Sequence, residues 1–253
     1  VSGDILIQAT ISASGGTGPT AGNGGTVQLT AAGTGNITEN GSGVILATGA
    51  VGGNLAVVSA TGHVTLQNAA NDVAKVAGLV SVAAKHFYYT DANALAIDTV
   101  TKVGALTAVS NVLVLAQPAA DSVGITTQGN TLGDVKVYAI AGALTVNQAV
   151  STVPAVTTSQ VGGTVVLEAS GAITSAAAGT ITTTGATGGA TGGNGGEIFI
   201  YSSTLGDITL VGNVTSNGGT GTTLGGNGGV VTVRAVSGDI LIQATISASG
   251  GTG

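Results

Sequence analysis

Apolar and polar residues alternate along this chain in short runs. The clearest reads Glu197-Ile198-Phe199-Ile200-Tyr201-Ser202, then Asp207-Ile208-Thr209-Leu210, then Asn213-Val214-Thr215. The same three-part pattern returns as Val230-Val231-Thr232-Val233-Arg234-Ala235, Asp239-Ile240-Leu241-Ile242 and Thr245-Ile246-Ser247. A period of two predicts strands. Ile198, Ile200, Ile208, Leu210 and Val214 point inward, and Glu197, Tyr201, Thr209, Asn213 and Thr215 point to water. By the same alternation Val231 and Val233 are inward and Thr232 outward. Gly and Ser-Gly steps between the runs predict corners, where positive φ is needed. Three strands and three corners predict one triangular coil.

The pattern has two periods. The string GNGG at Gly22–Gly25, Gly193–Gly196 and Gly226–Gly229 opens a coil each time. Coil starts are expected at Thr26, Asn54, Val80, Asn111, Val135, Thr164, Glu197 and Val230, about eight coils in all. The longer period is an identity: the 18 residues Val1–Gly18 reappear as Val236–Gly253, an offset of 235. We therefore expect one β-solenoid repeat unit over 1–235 and the start of the next identical unit over 236–253. With strands about 4.8 Å apart, the two copies should occupy equivalent coils separated axially by roughly 38 Å. Asn23, Asn194 and Asn227, the asparagines of GNGG, are expected to form a structural ladder on one corner.

Composition narrows the class. Charged residues are 6% of the chain and aromatics 2%, against about 25% charged in an ordinary globular domain. Val, Ile and Thr favour strands. Six aromatic side chains are too few for a thick core but suffice for a thin, elongated one. The net charge of −6, with Arg234 the single arginine, excludes a basic nucleic-acid surface. Polar residues break the longest uncharged run, between Lys136 and Glu168, so no membrane insertion of this segment is expected. With no Cys and no Met, little in the chain is open to oxidation, which fits an extracellular material.

Gly25-Thr26-Val27-Gln28-Leu29-Thr30-Ala31 and Gly163-Thr164-Val165-Val166-Leu167-Glu168-Ala169-Ser170-Gly171-Ala172-Ile173 follow a GGxVxLxAxGxI pattern. In this the chain resembles the filamentous-haemagglutinin-like and autotransporter-like bacterial surface proteins. Asn71-Asp72-Val73-Ala74-Lys75-Val76-Ala77-Gly78 and Asp91-Ala92-Asn93-Ala94-Leu95-Ala96-Ile97 look like their spacer coils. The resemblance implies an all-β fold, a right-handed parallel β-helix, export to the cell surface, and a role in adhesion or surface architecture. Near-identity of the unit favours a uniform fibre whose partners are adjacent copies of the same repeat end to end, with neighbouring filaments or glycans as further partners.

Candidate chemistry is thin. The carboxylates are spread out, and Asp4, Asp207 and Asp239 are expected on the same corner after Gly or Ser-Gly, where they read as turn residues. No catalytic, metal or cofactor residues are expected, so the chain reads as a non-enzyme. The densest polar segment is Lys85-His86-Phe87-Tyr88-Tyr89-Thr90-Asp91, with Asp98 and Lys102 nearby. Lys85, His86, Tyr88, Tyr89 and Asp91 form a candidate glycan-binding patch. The plainer alternative is a wide coil with Phe87 inside. His63 reads as a structural corner residue. Outward Thr180 and Thr182, Asn213 and Thr215, and Thr245 and Ser247, on three successive coils, resemble an ice-binding ladder, but Val44-Ile45-Leu46 ends it. Asn36-Ile37-Thr38, Asn40-Gly41-Ser42 and Asn213-Val214-Thr215 match the glycosylation triplet, which carries little weight in a chain so rich in Asn and Thr.

Overall fold

A computed structural model describes residues 3–31, 33–101, 121–130, 133–155 and 159–253. Among them the chain is all-β, without a helix. Each short alternating run becomes a strand, and over most of the chain every third strand returns to the same sheet. One sheet holds Ile5–Ile7, Ile37–Glu39, Val64–Leu66, Phe87–Asp91, Val135–Ala139, Val165–Ala169, Glu197–Ser202 and Val230–Ala235 in that order. All its pairings are parallel, for instance Phe87 with Val135 and Ile198 with Val231.

A thirteen-stranded sheet carries two columns. One runs from Thr26–Ala31 through Asn54–Ser59 to Ile246–Ser247; the other runs from Leu95–Ile97 through Ile208–Leu210 to Ile240–Ile242. The long strand Lys75–Ala83 joins them, since Val76 lies beside Ile97 and Gly78 beside Ile125. Thr10–Ser12, Val44–Ala47 and Asp72–Val73 form a third sheet, and Thr99–Val100 pairs antiparallel with Ser122–Val123.

Alternation decides what is buried. Ile198, Ile200, Ile208, Leu210 and Val214 are buried, as their spacing predicts, in one continuous apolar cluster that extends from Ile7 to Val214. Burial of these branched side chains is the main favourable term, at about 25 cal/mol per Å² of apolar surface. At the far end Val231 and Val233 are only partly covered, and Ile240, Ile242 and Ile246 are exposed, because no further strand lies on them.

The structure departs from the expected phase of the repeat. Thr26 pairs with Asn54, and Glu197 with Val230, as expected. Val80, however, is not a start: it lies inside Lys75–Ala83, opposite Ser59, and Asn54 faces Lys75 instead. The start at Asn111 falls outside the described residues. The starts also divide between sheets: Thr26 and Asn54 lie in the thirteen-stranded sheet, and Val135, Glu197 and Val230 in the eight-stranded one. Consequently the two identical segments are not equivalent. Ile5–Ile7 pairs with Ile37–Glu39, whereas Ile240–Ile242 pairs with Ile208–Leu210 in the other sheet. Pairing depends on how many strands intervene, and alternation alone does not count them.

Candidate functional site

The polar groups of this molecule collect at corners, where the chain turns into a strand. A side-chain acceptor there can take the backbone N–H of the next strand's corner residue, leaving neither unpaired. At the entry to the eight-stranded sheet, Asp4 Oδ1 accepts from Asn36 N at 2.7 Å and Asn36 Oδ1 from His63 N at 2.9 Å. Further along, Asp134 Oδ1 accepts from Thr164 N at 2.8 Å. Asp207 and Asn194 act the same way on Asp239 N and Asn227 N, each at 2.8 Å. Asp4, Asp207 and Asp239 are thus corner residues, as expected, but Asp4 sits on a different corner from the other two. Asn194 and Asn227 stand on successive passes of one corner, joined by the bond from the Asn227 backbone N–H to Asn194 Oδ1. Asn23 precedes a strand of the other sheet and stands apart from them.

His63 and His86 occupy successive places on the first corner because each directly precedes a paired strand, Val64 lying opposite Phe87. Their rings approach with centroids 4.2 Å apart and the two Nδ1 atoms 2.9 Å apart. Lys85 Nζ is 3.3 Å from His63 Nε2, and Thr65 Oγ1 is 2.8 Å from His86 Nε2. The Tyr88 ring stacks on His86 at 3.9 Å and carries the Lys136 ammonium on it at 4.7 Å. The Tyr88 hydroxyl contacts Asp134 Oδ2 at 3.4 Å. Burial, then His63, Lys136 and Lys85, push the His86 pKa down to about 4. Burial, then Lys85, lower that of His63.

The candidate patch therefore splits. Lys85, His86 and Tyr88 are part-exposed, but Tyr89 and Asp91 are buried and do not belong to a binding surface. Alternation explains this: Phe87, Tyr89 and Asp91 share the inward phase, Phe87 being inside as its alternative reading required. The Tyr89 hydroxyl donates to Asp91 Oδ2 at 2.8 Å, and Asp91 also accepts from Val73 N at 3.0 Å and Asn93 N at 2.9 Å. Burial raises the Asp91 pKa to about 6 against these bonds. Glu39 is also raised by burial; its Oε2 accepts from Asn68 N at 2.8 Å and Asn71 Nδ2 at 3.1 Å, while Oε1 is buried without a partner.

The outward side of the eight-stranded sheet gathers four of the six aromatics. Thr65, Tyr88, Lys136, Val166, Phe199 and Thr232 run in register, and beside them Tyr138, Glu168, Tyr201 and Arg234. Arg234 covers Tyr201, its guanidinium carbon 5.4 Å from the ring centre. A shallow cavity of about 400 Å³ lies there, lined by Val166, Glu168, Phe199, Tyr201, Thr232 and Arg234. The sequence reading missed Thr65, Asp134 and Lys136, which register brings to the patch, and the pairing of the two histidines. Aligning Gly62-His63-Val64 with Lys85-His86-Phe87 is the signal that would have found it.

No group of three or more His, Cys, Asp or Glu side chains arranged to hold a metal occurs among the described residues, and no helix long and apolar enough to cross a membrane occurs among them. Compared with protein-family models, curated proteins and solved structures, the chain matches none.

Proposed function

We propose that this chain is a stretch of structural filament: a right-handed parallel β-helix built of tandem 235-residue units, exported and used as surface or matrix material. The observation that carries the reading is the stack itself. Apart from Thr99–Val100 with Ser122–Val123, the strands of successive passes pair in parallel among the described residues, and corner side chains bond several passes to the next. A right-handed sense follows from the general preference of parallel crossovers. The duplicated residues lie on terminal strands at both ends of the stack: Leu6 is exposed at one end, and Ile240, Leu241, Ile242 and Ile246, with the adjacent Val230, are exposed at the other. The identity of Val1–Gly18 with Val236–Gly253 at an offset of 235 supports the tandem reading. In this reading the chain is not an enzyme, and carboxylates such as Asp4 and Asp207 serve as corner acceptors.

A second reading, an adhesin that binds glycans, draws on the outward aromatic face with Phe199, Tyr138 and Glu168. It is weaker, because His86 and Lys136 occupy the Tyr88 ring and Arg234 occupies that of Tyr201. Electron microscopy and fibre diffraction test the filament reading. We expect thin rods that lengthen with protein concentration and an axial spacing near 4.8 Å. Compact particles lacking that spacing would overturn it, and saturable polysaccharide binding by such particles would favour the adhesin.

A further inference from the structure

We propose that the His63–His86 pair is an acid-opened latch, which binds the Val64–Leu66 and Phe87–Asp91 strands together at one corner when neutral and releases them when protonated. The geometry makes the argument. Two Nδ1 atoms 2.9 Å apart have room for one proton between them. A neutral imidazole has one donor nitrogen and one acceptor nitrogen. Lys85 can only donate, so its contact at 3.3 Å makes His63 Nε2 an acceptor and places the His63 proton on Nδ1. His63 then donates to His86 Nδ1, and His86 donates from Nε2 to Thr65 Oγ1 at 2.8 Å. The reverse tautomers exchange the Lys85 contact for a 3.3 Å bond from the His86 amide to His63 Nδ1. Either arrangement leaves a single proton between the rings.

The first added proton creates a cation in already cationic surroundings. Facing the pair are Lys85 beside His63, and Lys136 and Tyr88 beside His86. Asp134 reaches it only through the Tyr88 hydroxyl, and Asn36 and Thr65 are neutral. The Tyr88 ring cannot fully offset the new charge, since Lys136 lies over it. The second proton sets N–H against N–H and breaks the pair.

The sign follows from linkage. Both histidines are depressed below their ordinary value, so their contribution to stability is whole above about pH 6.5 and is lost as pH falls toward the His86 value of about 4. Asp91, raised to about 6, acts oppositely: its contribution is whole below about pH 4 and is lost as pH rises through about 6. The two arms overlap and must be separated.

The test is a set of thermal midpoints from pH 4 to 7.5 on the full chain, His86→Gln and Asp91→Asn, with an NMR titration of both imidazoles. We expect the His86 ring to titrate near pH 4 and to move toward about 6.5 in His63→Gln. The loss of midpoint on acidification should be smaller in His86→Gln than in the parent and steeper in Asp91→Asn. Two independent titrations near the ordinary value, or the same pH profile for the parent and His86→Gln, would overturn the latch. If His86→Gln fails to fold, the ring titrations of the parent and of His63→Gln decide alone.

Discussion

Gly78 shows how a single position can be dictated from across the core. It lies inside the strand Lys75–Ala83, where a glycine weakens the strand, and its own backbone needs no special conformation. A Cβ built there would come within 2.2 Å of Phe87 Cε2. Phe87 is fully buried and has little room to retreat from a close-packed interior. Gly78→Ala should therefore cost about 1–3 kcal/mol through overpacking and lower the thermal midpoint by several degrees. Pairing it with Phe87→Leu should restore part of the loss. An unchanged midpoint for the single variant would mean that the ring does not sit on this glycine. Asp91 makes a related point. It reads as a surface acid in a polar segment, yet its strand phase turns it inward, where three donors hold it.

Within an element, the period of two is the rule with energetic force. Ile173 in Ile173–Ser175 is fully buried, while its neighbour Thr174 faces out between Thr145 and Thr209. An unpaired lysine in a thin apolar core costs several kcal/mol, and one on an open strand face shifts stability by about 0.5 kcal/mol or less. Ile173→Lys should abolish protease resistance of the surrounding strands, and Thr174→Lys should leave it intact. Val231→Lys falls between them, because Val231 lies on the last strand of its sheet and has a neighbouring strand on one side only. Equal digestion of Ile173→Lys and Thr174→Lys would refute the register.

At the scale of the whole molecule, identical sequence has gone to different places. Ile5–Ile7 heads the eight-stranded sheet, and Ile240–Ile242 ends a column of the other large sheet. Seven strand steps, roughly 34 Å, separate Ile5–Ile7 from Val230–Ala235 in the eight-stranded sheet, and the second copy lies one sheet beyond. The step arises where Phe87–Asp91 pairs directly with Val135–Ala139. If a further strand lay between them, as whole coils throughout would require, Tyr88 and Lys136 would be about 10 Å apart instead of adjacent. The chain has no cysteine, so Tyr88→Cys with Lys136→Cys can form a single disulfide. We expect it to close readily, since adjacent strands bring Cα atoms within the 4.4–6.8 Å that a disulfide spans. Failure to close under mild oxidation, with both thiols reactive to an alkylating reagent, would restore the intervening strand.

The sequence by itself determined the class of fold, the inward and outward sets, and the corner role of Asp207, Asp239, Asn194 and Asn227. These are local properties: branched side chains at a period of two, and short polar residues beside glycine. Tertiary structure alone decided which strand lies on which. It chose Lys75 and not Val80 as the partner of Asn54 and set the two identical segments in different sheets. It also brought His63 against His86, and Lys136 and Asp134 around Tyr88. The physical reason is that alternation specifies a face and carries no count of the strands between two runs. The number of residues spent at each corner sets that count, and glycine-rich corners of unequal length look alike in the sequence.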